Sequence, residues 1–438
     1  MEWPLVLLII FGSLLFLMAL GMPVAFCFVT INVVGMFLLL GGEAGLRQLA
    51  LSFYDSLTTF VLLPLALFIL MGEVIFQSGV GTLALDTLDK WLGRLPGRLA
   101  LIAVAGGTII ATLTGEAVGS VAILGSTLVP EMEKRGYKKL MSLGPIIGSA
   151  GLAPMIPPSS LAVFVGAIAM ISIGKILIGI IIPGLLMAAL YATYIIVQCK
   201  LQPDLAPAYT VSLPPLSERL IALAKHILPL GFIIFLVIGV MLIGVATPSE
   251  AAATGALGCF ILAAAYRNFN WRMVKTSVSS ALVISTMIYL IILGAQAFGQ
   301  ILSYSGVTKG VVQWVINLHV APILVFIALQ VVVVFLGMFM PTGPIVMVCV
   351  PLFMPVIQAL GFDPVWFAVV LLINLQMAQK TPPYGISLFV MKGVAPPDTT
   401  MGDIIRATVP FLFCDIIALA LAIAFPTIVL WLPNATVR

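Results

Sequence analysis

Long apolar stretches separated by short polar clusters divide this chain into segments that predict membrane-spanning helices. A helix needs about 20 predominantly apolar residues to cross the hydrocarbon core of a bilayer. In the first half of the chain, the apolar segments are residues 5–20, 24–40, 57–76, 99–130, 141–171 and 176–198. In the second half, they are residues 226–246, 249–266, 276–301, 321–357, 364–395 and 403–430. The pattern therefore predicts an all-α polytopic membrane protein.

Two segments of the first half are too long or too interrupted to be simple spans. The polar run 112–116 divides segment 99–130 into two arms of about half the crossing length, which predicts a re-entrant hairpin. Segment 141–171 contains the stretch 151–158 with three prolines. Because proline removes a backbone donor and blocks helix continuation, this stretch predicts a helix that is broken near the middle of the membrane.

The second half repeats this scheme. Pro157-Pro158 recurs at Pro382-Pro383. We call the separation of these two dipeptides the repeat interval. The same interval separates Pro4 from Pro229, Pro23 from Pro248, Pro130 from Pro355 and Gly136 from Gly361. The second hairpin tip is predicted near residues 337–344 and the second helix break at 379–385. We interpret the chain as one membrane unit present twice, as a first repeat at 1–210 and a second repeat at 226–438. If each hairpin returns to the side of the membrane from which it entered, each repeat crosses the membrane five times. Because five is an odd number, the second repeat is inverted in the membrane relative to the first.

Composition supports a lipid environment. The chain has 438 residues, of which 62% are hydrophobic and 8% charged, and its mean hydropathy is +1.24. The five cysteines are scattered without a Cys-x-x-Cys pair, which argues against a disulfide framework and against zinc or iron–sulfur sites. The net charge of +4 comes without a basic tail, so no nucleic-acid partner is expected.

The distribution of basic residues predicts the orientation in the membrane. With the N-terminus outside, 13 of the 20 lysines and arginines fall in the inferred cytoplasmic segments 90–98, 134–139, 200–225 and 267–275. The external segments hold little beyond Arg47, Lys309 and Arg438. Since cytoplasmic loops carry an excess of basic residues, we expect both termini to lie on the side of the membrane opposite to the cytoplasm.

The four interruptions indicate a transport function. Non-helical backbone at membrane depth is costly unless it is buried in protein or lines an aqueous cavity. Unwound carbonyls and nearby hydroxyls can replace the hydration shell of a cation, and helix N-termini at the same place attract anionic groups. Any single interruption is also explained by an ordinary proline or glycine kink. Four interruptions in register between two repeats favour a secondary transporter with its site between the repeats.

Other function classes fit the sequence less well. An enzyme would need a nucleophile–base pair, a metal cluster or a carboxylate pair, and two distant histidines without clustered acids supply none of these. A passive channel would need a continuous pore with a selectivity filter.

Specific motifs resemble one transporter family along essentially the whole chain. They are Thr114-Gly115, Pro130-Glu131-Met132-Glu133-Lys134-Arg135-Gly136-Tyr137, Ile156-Pro157-Pro158-Ser159, Gly337-Met338-Phe339 and Thr381-Pro382-Pro383-Tyr384-Gly385-Ile386-Ser387-Leu388-Phe389. They resemble the large membrane subunit, the DctM-like component, of tripartite ATP-independent periplasmic (TRAP) transporters.

The resemblance implies a sodium-coupled importer of an organic acid anion with an elevator mechanism. It also implies two partners: a periplasmic substrate-binding protein and a small four-helix membrane subunit. By resemblance the protein lies in the bacterial inner membrane, so that both termini would lie in the periplasm. The nearer alternative is a stand-alone sodium-coupled elevator carrier of the divalent-anion type, which works without a binding protein. By resemblance, residues 1–98 and 226–320 form the scaffold, and residues 99–200 and 321–438 form the mobile transport part.

The resemblance further implies two sodium sites, each between a hairpin tip and a helix break. The first maps onto Thr112, Thr114, Gly115, Pro154 and Ile156. The second maps onto Gly337, Met340, Thr342, Gln379 and Thr381. Because backbone carbonyls can bind a cation whatever the side chain, the resemblance identifies segments better than individual atoms.

Glu116 departs from the commoner family pattern, in which small hydroxyl residues follow the Thr-Gly of the first tip. A lone charge near the bilayer centre costs about 3 kcal/mol, so Glu116 needs water or a partner. We expect Glu116 and Lys380 to face one another across the substrate cavity, with Lys380 bound to a carboxylate or sulfonate of the substrate. Thr114, Ser159 and Tyr384 complete the candidate substrate site. The alternative is that both charged side chains reach solvent.

Glu73 and Asp415 are two further acids within apolar spans. A proton relay is one interpretation of such residues. A structural hydrogen bond to a neighbouring helix is the favoured interpretation, because polar side chains commonly link helices in membranes.

Overall fold

The computed structural model describes residues 2–80, 83, 87–88, 91, 97–114, 117–207, 215–383 and 385–436, with the side chains of residues 61 and 111–114 outside this description. Every regular element in these ranges is a helix. The all-α prediction is therefore confirmed for the described chain.

The first half contains ten α-helices in its described residues. They are α1 (Trp3–Ala19), α2 (Val24–Leu39), α3 (Glu43–Thr58), α4 (Leu63–Ser78), α5 (Arg98–Thr114), α6 (Ala117–Lys134), α7 (Lys139–Ala150), α8 (Ser160–Ala169), α9 (Ile173–Gly179) and α10 (Ile181–Leu201). Short 3-10 turns lie at Phe60–Leu62, Ala153–Met155 and Pro203–Leu205.

The second half begins with α11 (Leu216–Leu242), which includes π-helical turns at Leu223–Ile227 and Phe235–Gly239. The helices that follow are α12 (Pro248–Ala265), α13 (Trp271–Tyr304), α14 (Val307–Asn317), α15 (Pro322–Gly337), α16 (Thr342–Ala359), α17 (Pro364–Ala378), α18 (Ile386–Val394), α19 (Met401–Ala424) and α20 (Thr427–Thr436).

The described helices are long and apolar enough for a multi-pass membrane protein. Six described helices can each cross a bilayer by length and composition, with α9 and α10 counted together as one, and two bent pairs raise the number to eight. One pair is α3 with α4, bent by 52°, and the other joins Lys139–Met155 to α8 with a bend of 42°. The second bend lies at the helix break that the three prolines predict, so that prediction is confirmed.

Two helices differ from the sequence prediction. The apolar pattern predicts a simple span at 57–76, whereas α3 precedes it and joins it through the bend at Phe60–Leu62. The pattern also leaves out α14. Both missed helices mix apolar residues with polar ones, so they lack the continuous apolar run by which a span is recognised.

The long helices each pack against several neighbours, including α4 against α5 and α13 against α16. Helix α4 packs against α12 and α13, and α13 also packs against α2. In what we call the break group, residues 98–201 and 322–436, α7 packs against α5, α6 and α19, and α17 packs against α15 and α19. Gly144 allows α7 to approach α19 closely, because a methyl group at this position would lie 2.4 Å from the carbonyl oxygen of Ala407.

Helix bounds recur at the repeat interval in the break group. Helix α16 matches α6 at both ends, since Thr342 stands one repeat interval after Ala117 and Ala359 stands one repeat interval after Lys134. The first residue of α17, Pro364, stands in the same relation to Lys139, the first residue of α7. The spacing of the two Pro-Pro dipeptides thus extends to the helices around them.

Candidate functional site

The first helix break is a buried segment whose polar groups bond to one another. Helix α7 ends at Ala150, and the chain passes through the 3-10 turn Ala153–Met155 before α8 begins. Ser159 caps α8 by accepting a hydrogen bond from the Ala162 amide at 3.1 Å, and its hydroxyl donates to the Pro154 carbonyl at 3.0 Å. Ser159 is fully buried, so its hydroxyl belongs to the internal structure of the break.

The second helix break has a similar layout with different bonds. Helix α17 ends at Ala378, and α18 begins at Ile386. The Thr381 hydroxyl donates to the Met377 carbonyl at 2.8 Å, and the Ser387 amide donates to the Gln379 carbonyl at 3.1 Å. These bonds hold the unwound segment between the end of one helix and the start of the next.

The second hairpin tip lies against the second break. Gly337 ends α15, and a methyl group on it would lie only 2.2 Å from the Ala378 side chain. Met340 lies in the turn and Thr342 begins α16. The structure therefore brings the Gly337 end of the tip to the end of α17, which Gln379 and Thr381 follow. The resemblance implies the second cation site at this junction of hairpin tip and helix break, and the site stays a prediction.

The first hairpin tip is only partly described. Gly115 and Glu116 lie outside the described residues, as do the side chains of Thr112 and Thr114 and the whole of Tyr384. The arm α5 contacts α7 through Ser149, whose hydroxyl donates to the Ala103 carbonyl at 3.0 Å. Pro154 and Ile156 lie in the first break, with Pro154 buried and Ile156 partly buried.

Lys380 differs from its expected position. Its ammonium lies 2.8 Å from Asp415 Oδ2 and donates a hydrogen bond to the Tyr191 hydroxyl at 2.8 Å. Lys380 is only 1% exposed, so the alternative that its side chain reaches solvent is wrong. Its ion pair with Asp415 argues against a contact with the substrate. A buried ammonium needs a compensating charge, and Asp415 supplies it. The partner of Glu116 stays a prediction.

Asp415 confirms the structural interpretation given to it. This acid on α19 is fully buried, and it accepts a hydrogen bond from the hydroxyl of Tyr191 on α10. It therefore links two neighbouring helices, as the sequence favours. Sequence reasoning missed that the embedded acid and the embedded lysine are partners, although both charges stand out within apolar segments.

A polar cavity lies between the break group and the other helices. Its volume is about 800 Å³, and α3 and α13 line one side of it with polar side chains that include Gln48, Asp55, Ser56, Gln296 and Gln300. The end of α8 and the returning arm α16 form the other, mostly apolar side. Polar stripes on two membrane helices that face one cavity indicate a hydrated cleft.

A second ion pair lies at the loop end of the break group. Lys139, which begins α7, lies 2.7 Å from Asp398 and 3.9 Å from Asp403. The hydrogen bond from Lys139 lowers the pKa of Asp398 below its ordinary value. This pair is partly exposed, unlike the pair of Lys380 with Asp415.

The described ranges contain no cluster of three or more His, Cys, Asp or Glu side chains that could hold a metal ion. All five cysteines are free and buried. The oxygen atoms around the helix breaks include carbonyls, hydroxyls and amides, which are hard ligands that alkali cations accept.

Comparison with known proteins finds similarity to one family of transporters, both in its family model and in individual relatives. The family described as tripartite ATP-independent periplasmic transporter, DctM component, matches residues 11–428. The C4-dicarboxylate TRAP transporter large permease protein DctM of Pseudomonas aeruginosa is 28% identical over 401 residues, covering 91% of this chain and 92% of that protein. The ectoine TRAP transporter large permease protein TeaC of Halomonas elongata is 27% identical over 431 residues, covering 98% and 99%.

Among solved structures, the YdaH transporter of Alcanivorax borkumensis has a similar fold. The TM-score is 0.63 and the sequence identity is 16%, and the similarity covers 88% of this chain and 90% of that one. At this identity the likeness shows a shared fold only.

Proposed function

Because this chain belongs to the family of DctM components of tripartite ATP-independent periplasmic transporters, we propose that it is a sodium-coupled importer of a small organic acid anion. Its named relatives are transporter permeases rather than enzymes, as the sequence predicts. The observation that carries the proposal is the pair of helix breaks in the break group, of which the first is buried and the second is partly buried. Such backbone is a common way to build ion and substrate sites in secondary transporters.

The transport mechanism that we propose is an elevator movement of two inverted repeats. The first residues of α6 and α16, and those of α7 and α17, are separated by the same repeat interval, which supports a duplicated unit. In this proposal the break group, residues 98–201 and 322–436, moves relative to a scaffold made of the remaining helices. The polar cavity of about 800 Å³ between the two groups supports a hydrated surface along which they separate.

Sodium ions would bind where the hairpin tips meet the helix breaks. At the second helix break, the buried Oε1 atom of Gln379 accepts no hydrogen bond from the described residues. A buried acceptor without a donor is costly, and a bound cation would satisfy it. Gln379 therefore joins Gly337, Met340, Thr342 and Thr381 in the proposed second site. The first site stays with Thr112, Thr114, Gly115, Pro154 and Ile156.

The organic anion would bind at the same breaks, near helix N-termini. Helices α8 and α18 begin at the two breaks, and the N-terminus of a helix carries partial positive charge that favours an anion. Lys380 is engaged with Asp415, so we do not assign it to the substrate. Glu116, Thr114 and Tyr384 stay in the proposal as substrate contacts. One relative is named for C4-dicarboxylates and another for ectoine, which supports a small organic solute.

The proposed partners are a periplasmic substrate-binding protein and a small four-helix membrane subunit. The transporters of this family are described as tripartite, which supports three components. We further propose that the protein lies in the bacterial inner membrane with both termini in the periplasm, an orientation that rests on the distribution of basic residues.

Uptake into proteoliposomes tests this function. The vesicles contain this chain with its small membrane subunit, and a panel of radiolabelled organic acids is offered with the binding protein, with and without an inward sodium gradient. Uptake that needs both sodium and the binding protein is the predicted result. Sodium-driven uptake without the binding protein would favour a stand-alone elevator carrier instead, and uptake that ignores sodium would contradict the cation sites.

A further inference from the structure

The buried ion pair of Lys380 and Asp415 occupies a central position in the break group. Both side chains are almost fully enclosed, at 1% and 0% exposure. The pairs Arg47–Glu43, Arg135–Glu131 and Lys139–Asp398 are partly or largely exposed. Enclosing two charges costs desolvation energy, and a pair of hydrophobic replacements is often at least as stable. Stability alone therefore gives a weak reason for this pair.

Three elements converge on the Lys380 ammonium. Lys380 follows closely on α17 and precedes the second Pro-Pro dipeptide. Asp415 comes from the middle of α19, and Tyr191 comes from the middle of α10. The ammonium also lies 5.1 Å from the centroid of the Tyr191 ring, within the range of a cation–π contact. The pair thus fixes the second break to two long helices.

The same ammonium reaches the first break. Gly151 follows α7 at the start of that break, and a methyl group on it would lie 3.1 Å from Lys380 Nζ and 2.4 Å from Gln376 Oε1. The C-terminal end of a helix carries partial negative charge, so the end of α7 is a favourable place for a cation. One lysine side chain therefore starts at the second break and ends at the first.

Only one repeat supplies this charge. Across the repeat interval, Lys380 corresponds to Met155, and Gln376 corresponds to Gly151. The second repeat provides a long cationic side chain and an amide, while the first provides the small residue that leaves room for them. The two breaks consequently share a single ammonium at their junction.

We propose that Lys380 is a positioning residue whose side chain holds the two helix breaks against one another and thereby sets the affinity for sodium. Asp415 and Tyr191 hold the ammonium in place, and Asp415 neutralises its charge. By fixing the end of α17 against the end of α7, the ammonium preorganises the carbonyl and hydroxyl oxygens at both breaks. Preorganised ligands bind an ion more tightly because less ordering remains to be done on binding.

This inference rests on the sodium coupling proposed above, and its test uses a variant without an orphaned charge. In the double variant Lys380→Met/Asp415→Asn, both charges are removed together. We expect this variant to fold. The sodium concentration for half-maximal uptake should rise about tenfold, which is within the range of interaction energies measured between residues of one hydrogen-bond or salt-bridge network. The KM for the organic acid at saturating sodium should change less than about twofold, because Lys380 is not a substrate contact.

The matched control is Lys139→Met/Asp398→Asn, which removes the partly exposed ion pair of the same helix group and should leave the sodium dependence unchanged. A wild-type sodium dependence in the Lys380→Met/Asp415→Asn protein would overturn the inference. If that protein does not fold, Tyr191→Phe removes only the hydroxyl that holds the ammonium and should raise the half-maximal sodium concentration about threefold. No change in a folded Tyr191→Phe protein would equally overturn it.

Failure of the proposed function has a different signature. Wild-type protein that takes up substrate without any response to sodium contradicts the sodium coupling itself. If uptake by the wild-type protein depends on sodium and the variants show the same dependence, only the positioning role of Lys380 is contradicted. Sodium-dependent thermal stabilisation of the purified proteins in detergent provides the same comparison without transport.

Discussion

Gly337 at the second hairpin tip lies directly against Ala378 at the end of α17. A methyl group on Gly337 would lie 2.2 Å from the Ala378 side chain, a distance that a real contact does not reach. The hairpin tip and the helix break therefore form one packed unit. A cation that binds between them would bind to both elements at once.

Replacing Gly337 with alanine should force this tip away from the break. Overpacking a tight contact costs about 1–3 kcal/mol, so the Gly337→Ala protein should unfold at a lower temperature and show reduced uptake. Thermal unfolding in detergent measures the first effect. Gly343→Ala is the matched control at the same tip, because nothing lies within 4 Å of an added methyl group there. Equal behaviour of the two variants would contradict the packed unit.

Single substitutions in the buried ion pair should be more harmful than the double substitution. Lys380→Met leaves Asp415 charged and buried, and removing one partner of such a pair costs about 3–5 kcal/mol. Lys380→Met/Asp415→Asn leaves no orphaned charge, so its destabilisation should be well below the sum of the two single effects. Thermal unfolding of the four proteins gives the double-mutant cycle. Additive effects would show that the two charges do not interact.

The helix breaks could be predicted from the sequence because their cause is local. Each break contains a Pro-Pro dipeptide, which disrupts a helix more strongly than one proline does, so Pro157-Pro158 and Pro382-Pro383 mark the breaks without any knowledge of the fold. Single prolines such as Pro145 and Pro355 lie inside helices and mark no break. The pairing of Lys380 with Asp415 could not be read in this way, because the partners come from different segments that many apolar residues separate. The available signal was that two opposite charges in apolar segments need partners. That signal does not distinguish Glu116 from Asp415 as the partner of Lys380.

Removing the cap of α8 should loosen the first break. Ser159→Ala loses the hydrogen bond to the Ala162 amide and the one to the Pro154 carbonyl. Loss of an N-cap costs about 0.5–2 kcal/mol, so we expect a lower unfolding temperature and a higher sodium requirement for uptake. Ser126→Ala is the control, because that hydroxyl is exposed and bonds within its own helix. An unchanged Ser159→Ala protein would exclude the cap as a determinant of this break.

The Asp398 pair should contribute stability that depends on pH. The hydrogen bond from Lys139 lowers the pKa of Asp398 in the folded protein. A lowered pKa stabilises the folded state above the unfolded value of about 3.9, and this contribution disappears as the pH falls through the lowered folded value. The unfolding temperature of Asp398→Asn should therefore lie below that of wild type at pH 6, and the difference should shrink as the pH falls below about 4. A difference that stays constant across this range would contradict the assignment.

Direct binding of radioactive sodium to the purified protein tests whether the helix breaks hold the coupling ion. We predict saturable binding that excess unlabelled sodium displaces and potassium does not, and weaker binding by Gln379→Ala, which lacks the buried amide oxygen at the second break. Absence of saturable binding in wild type, or identical binding by the Gln379→Ala protein, would contradict a sodium site at the breaks.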